Sequence, residues 1–172
     1  MDTIFLYALN VAPLDADSAV WAAFVCADRR ARMASLKNIA DRRRSLGAEL
    51  ALHAALSRHM DGYAPPPVYD RLPGGKPVLR DARGWHISLA HAGDWAVCAL
   101  HRAPVGVESY LKLTGEGLAG GFRTLCAGET EVFRLGQRMA CLCRAEVGDC
   151  LLCAATDAPA ALKLEIVAPP EP

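Results

Sequence analysis

The sequence predicts an α+β fold built from small antiparallel sheets and a few helices. Three observations carry this. A dense β pattern runs from Gly74 to Val107. Apolar residues recur at helical spacing between Asp41 and Met60. Short β patterns then return after Thr130, separated by Gly136, Gly148 with Asp149, and Pro159, the punctuation of an antiparallel meander. The 172 residues, 52% hydrophobic, suit one domain or two small lobes with a sizeable core.

In chain order, Thr3 to Val11 reads as a first strand that Pro13 ends. Asp17 or Ser18 is placed to cap a helix through Cys26, with Val20, Ala23 and Phe24 on one face. Asp28 is placed to cap a second, basic helix containing Arg29, Arg30, Arg32, Met33, Leu36 and Lys37, whose thin apolar stripe leaves one face wet. Asp41 opens a longer helix to about Met60, with Leu46, Leu50, Ala54 and Leu56 in its buried face. Asp61 to Pro67 holds three consecutive prolines and is a loop. In the central β stretch, Trp85–Leu89 and Trp95–Leu100 read as strands, with Ala92, Gly93 and Asp94 in hairpin-turn chemistry between them. His91 then lies at the hairpin mouth, Gly74–Pro77 is a loop carrying one cation, and Pro104–Val107 is a third short strand. Glu108–Leu113 reads as one or two helical turns closed by Thr114–Gly117. Thr130–Leu135, Arg138–Arg144, Cys150–Ala155 and Leu162–Val167 form the meander, and Ala168–Pro172 reads as a disordered tail. The division expected is an N-terminal lobe over 1–107 and a shorter C-terminal lobe over 108–167, each a helix followed by a small sheet.

Lysine plus arginine and aspartate plus glutamate balance at 19 each, so no global field draws the chain to nucleic acid or a membrane surface. No apolar run is long enough to span a bilayer. The first residues lack a basic region and read as a strand, not a signal peptide. Seven cysteines, mostly in apolar runs, fit a reduced cytoplasmic protein with buried thiols.

Three constellations are candidates for chemistry. Arg29, Arg32, Arg44, Lys76 and His91 come from separate segments, and several fixed donors of this kind suit a polyanion such as a nucleotide diphosphate; the bland alternative is a solvated basic helix plus a loop lysine. Glu108 and Lys112 are four residues apart, so a carboxylate able to hold Mg²⁺ shares a helix face with a cation able to neutralise developing charge; the alternative is an ordinary surface ion pair. Cys141-Leu142-Cys143 and Cys150-Leu151-Leu152-Cys153 read as core thiols, with zinc as the alternative. Gly74-Gly75-Lys76 lacks the spacing of a phosphate-binding P-loop.

In ordered blocks these fragments resemble the large, two-lobed 4′-phosphopantetheinyl transferases. Arg43-Arg44-Ser45-Leu46-Gly47 resembles the start of that family's long helix, and Gly75-Lys76-Pro77-Val78-Leu79 its GKP loop. His86 to Gly93 resembles its F-N-x-S-H-S-G hairpin, and Val105-Gly106-Val107 the strand leading into its D-x-E metal motif. Glu108-Ser109-Tyr110-Leu111-Lys112, with Gly115 and Gly117-Leu118, resembles its W-x-x-K-E-x-x-x-K helix, and Gly148 to Ala155 its final strand. In the family a few dozen residues separate D-x-E from that helix. Here Val107 runs directly into Glu108, which looks like an internal deletion that removes D-x-E and shortens the second lobe. Ser88 stands where the family has asparagine, and Ala90 and Ala92 where it has serines.

The resemblance implies transfer of the phosphopantetheine arm of coenzyme A to a serine of an apo acyl or peptidyl carrier protein, with Mg²⁺ as cofactor and coenzyme A as substrate. It implies that Arg29, Arg32, Arg44, Lys76 and His91 surround the nucleotide phosphates. Glu108 then binds the metal and helps activate the serine, and Lys112 stabilises charge on the transferring or departing phosphate. With one carboxylate left, coenzyme A binding is expected to survive better than turnover. A non-catalytic relic binding coenzyme A or carrier protein is the alternative. Loss of the intervening helix is expected to bare apolar surface and favour a homodimer.

Overall fold

The protein is described here by a computed structural model over residues 2–107 and 125–171. The expected helical turn at Glu108–Leu113 lies outside them. The α+β class is what the structure shows. Strand β1 is Thr3–Asn10. The helix expected up to Cys26 is a 3-10 segment, Ala19–Ala23, that buries none of its residues and receives no side-chain cap from Ser18, so nothing extends it. Helix α1 is Ala27–Ser35; Cys26 takes the cap position and Asp28 falls in the first turn, where its charge faces the positive end of the helix dipole. Helix α2 is Ile39–His59. It starts before Asp41 because the Asn38 side chain accepts the Ala40 N–H at 2.8 Å and takes over the capping role. Leu46, Leu50, Ala54 and Leu56 are buried as the periodicity requires, and so are Ala48, Ala51, Leu52 and Ala55, so this stretch of helix is enclosed nearly all round.

The ribbon β2 (Tyr69–Arg71) and β3 (Pro77–Leu79) frames the Gly74–Lys76 turn. Strands of three residues carry no readable period, and only their turn was legible. Strands β4 (His86–Ala92) and β5 (Trp95–His101) are of equal length and joined by Gly93 and Asp94. Gly93 has φ +52°, the left-handed conformation such a turn demands of its first residue. The remaining strands are β6 (Val105–Val107), β7 (Leu125–Ala127), β8 (Glu131–Arg134), β9 (Gln137–Val147), β10 (Cys150–Thr156) and β11 (Ala161–Ile166).

The sheets have the orders β11-β1-β5-β4, β6-β10-β9-β8-β7 and β2-β3. The meander expected after Thr130 holds for β8, β9 and β10. Its expected fourth strand departs: β11 lies beside β1, where the Ala161 N–H reaches the Asp2 carbonyl and the Val167 N–H the Ala8 carbonyl, both at 2.8 Å. A period of two identifies a strand but not its neighbour.

Two compact units divide the chain: Met1–Phe5, Tyr69–Ser88 and Ala99–Lys163 form the first, and Leu6–Val68, Leu89–Cys98 and Leu164–Pro172 the second. The first contains the ribbon and the five-stranded sheet, with Val105, Val107, Val132, Ala140 and Ala155 buried. The second contains both helices, with Leu6, Leu9, Leu46, Leu50 and Val97 buried.

Candidate functional site

The basic run at the start of α2 is used residue by residue in the second unit. Arg42 pairs with Asp17 at 3.0 Å and donates to the Leu36 carbonyl at 3.1 Å. Arg43 donates through Nε to the Leu14 carbonyl at 2.9 Å. Arg44 is anchored by Asp41 one turn earlier and donates through Nη1 to the Gly93 carbonyl at 3.4 Å. Gly93 belongs to the turn that follows His91, and His91 and Ala92 are exposed at the end of β4. The structure thus places the Arg44 guanidinium against the hairpin turn, two residues along the chain from His91.

Arg29 departs from the bland alternative of a solvated basic helix. It is 8% exposed, and its Nε donates to Glu49 Oε2 at 3.1 Å, while Glu49 is fully buried. The Ser45 hydroxyl accepts from Arg29 Nη1 at 3.5 Å, and the Cys26 N–H donates to Glu49 Oε1 at 3.4 Å. The 3.6-residue period puts Arg29 and Met33 on the same inward stripe, and only the carboxylate inside α2 makes that tolerable. Arg32 lies on the exposed side of α1.

Lys76 belongs to the first unit. Its turn is closed by the Gly75 N–H to the Leu72 carbonyl at 2.7 Å and the Leu72 N–H to the Lys76 carbonyl at 2.9 Å. The half-buried ammonium donates to the Val105 carbonyl at 3.1 Å, and burial holds its pKa below the ordinary lysine value. Burial, then the charges of Lys76 and His101, lower the His86 pKa, with Asp157 opposing. Sequence reasoning missed the buried Ser88 hydroxyl, which accepts the Val107 N–H at 3.1 Å. A serine inside an apolar strand was its only signal. Glu108 and Lys112 lie outside the described residues.

Cys141, Cys143, Cys150 and Cys153 are spread over both faces of one sheet. Register sets Cys143 opposite Ala154 and Cys153 opposite Arg144, so Cys141 and Cys143 share one face and Cys153 takes the other. Among the described residues, no three His, Cys, Asp or Glu side chains gather as a metal site. No helix among them is long and apolar enough to cross a membrane.

The neutral histidines make stability depend on pH. His53 on α2 meets the Tyr63 hydroxyl at 3.2 Å and the edge of Phe24. Burial, then Arg58, hold its pKa below the ordinary value, as burial does for His86. Both rings bind a proton less readily folded than unfolded. Their contribution is therefore present above the unfolded pKa of about 6.5 and is lost as pH falls from there through the lowered folded values. The melting temperature is expected to drop between about pH 7 and pH 5, and His53→Phe to flatten that drop. An unchanged slope in the variant removes His53 from the account.

No protein-family profile matches the chain. Among curated proteins it is similar to the 4′-phosphopantetheinyl transferase psf-1 of Bacillus pumilus, 33% identical over 113 residues. The match covers 60% of this chain and 46% of that protein, so the chain spans less than half the length of the relative it matches.

Proposed function

We propose that the protein handles coenzyme A as a 4′-phosphopantetheinyl transferase does, moving the phosphopantetheine arm to a serine of an apo acyl or peptidyl carrier protein. The observation that carries this reading is the Arg44–Gly93 contact. It joins the arginine-led helix block to the histidine hairpin block, and the similarity to a named transferase supports the same reading. Arg44 and His91 are the proposed phosphate ligands, with Arg32 and Lys76 as further candidate cations for the same role. Arg29, held by Glu49, contributes by fixing α1 on α2.

In the proposed reaction the carrier serine oxygen attacks the β-phosphorus of coenzyme A. The P–O bond to adenosine 3′,5′-bisphosphate breaks, and the serine proton passes to a base, for which Glu108 is the candidate. The cations hold the phosphates in place and offset the charge that builds on the leaving group. The described residues offer no metal site of their own, so the proposed Mg²⁺ rests on Glu108. When bound, Mg²⁺ neutralises phosphate charge. The internal deletion and the cytoplasmic location belong to the same proposal. So does self-association through apolar side chains left exposed, such as Leu135 and Leu151.

The test is to incubate the protein with coenzyme A, Mg²⁺ and an apo carrier protein and to weigh the carrier by mass spectrometry. A mass increase equal to the phosphopantetheine arm supports transfer. An unshifted carrier beside calorimetric binding of coenzyme A selects the non-catalytic alternative, which the missing D-x-E carboxylates favour. Lys76→Ala is expected to weaken coenzyme A binding about tenfold or more. Glu108→Gln is expected to lower turnover with binding kept. If neither variant changes either quantity, the residue assignments fail.

A further inference from the structure

Strand β6 is the terminal strand of its sheet, yet its outer edge is occupied. Register sets Gly106 opposite Ala155 on β10, with Val105 opposite Thr156 and Val107 opposite Ala154. In an antiparallel pair, residues alternate between those whose N–H and C=O bond across and those whose groups turn away. The Val105 carbonyl and the Val107 N–H are both taken by side chains: Lys76 Nζ donates to the first and the Ser88 hydroxyl accepts from the second, each at 3.1 Å. Gly106 therefore faces β10, and Val105 and Val107 face the other way. All three β6 residues are buried, and Ser88 is 2% exposed, so water cannot stand in for either bond. The residue after Val107 in the sequence is Glu108.

We propose that Ser88 is a positioning residue: with Lys76 it clasps the outer edge of β6 and fixes that strand's backbone up to Val107, the residue before Glu108 in the sequence. Ser88 touches no substrate in this scheme and acts through the Val107 backbone. Lys76 gains a second task, since the ammonium assigned to phosphate is also bonded to the strand that precedes the proposed catalytic carboxylate. An effect on turnover rests on the transferase reading above; the clasp itself does not.

The experiment uses the full chain with Ser88→Ala and Ser88→Thr. Backbone amide exchange followed by NMR is expected to run about tenfold faster at Val107 in Ser88→Ala, with Gly106 within about twofold of the parent, because only the outward bond is lost. Ser88→Thr, which keeps the hydroxyl, is expected to return Val107 toward the parent rate. Unchanged Val107 exchange in Ser88→Ala overturns the clasp, and so does equal acceleration at Gly106 and Val107, the mark of a general loosening. In the carrier assay, Ser88→Ala is expected to lower kcat about tenfold with KM for coenzyme A nearly unchanged; a rise in KM with kcat kept overturns the positioning role. A parent chain that transfers nothing removes the transferase reading and leaves amide exchange to decide the clasp.

Discussion

Arg29→Ala is expected to remove about 3–5 kcal/mol of folding stability, a large share of the roughly 5–15 kcal/mol that holds a typical domain folded. The guanidinium is the counter-charge of Glu49, which is fully buried inside α2 and also accepts a long hydrogen bond from the Cys26 N–H. With Arg29 gone, the buried carboxylate loses its counter-charge, which costs folding free energy. Urea denaturation of the single variant and of Arg29→Ala with Glu49→Gln separates the causes. The double variant is expected to regain much of the loss because no charge is left stranded. A loss below about 1 kcal/mol in the single variant shows that the pair is not as enclosed as described here.

Gly47→Ala is the second. On an exposed helix surface this change stabilises by about 0.5–1 kcal/mol. Here a Cβ would meet Val11 Cγ1 and, at 3.0 Å, Ala96 Cβ. Neither neighbour yields cheaply: valine is stiff at χ1, and the alanine methyl moves only with its strand. The expected net effect is a destabilisation of about 1–3 kcal/mol, opposite in sign to the propensity gain. The shift in melting temperature checks it, and a stabilised variant shows that α2 does not pack this closely on Val11 and Ala96.

The elements that the sequence makes legible are those with a period long enough to measure. The stripe Leu46, Leu50, Ala54, Leu56 identifies α2, and the paired runs around Gly93 identify the β4–β5 hairpin to within three residues. The three-residue strands β2 and β3 have no period to read, whereas β6 falls where the short strand Pro104–Val107 was expected. The partner of β11 is a long-range choice that local pattern does not encode. Of the candidate site, the meeting of Arg44 with the hairpin was legible only through the resemblance of the two blocks to one family. The inward turn of Arg29 was not legible, because a lone arginine on a helix is ordinarily solvated, and its partner lies twenty residues further on. Ser88 was read only as a substitution for asparagine. Its value depends on a backbone N–H nineteen residues away.

The position of β1 between β11 and β5 also bears on how the chain is made. Thr3–Asn10 leaves the ribosome well before its β11 neighbour, which is not available until Ile166 has emerged. Until then Ile4, Leu6 and Leu9 belong to a strand that lacks that flank, a nascent segment open to wrong pairing. Assembly of that sheet is governed by contacts between distant parts of the chain, which is the slow regime for folding.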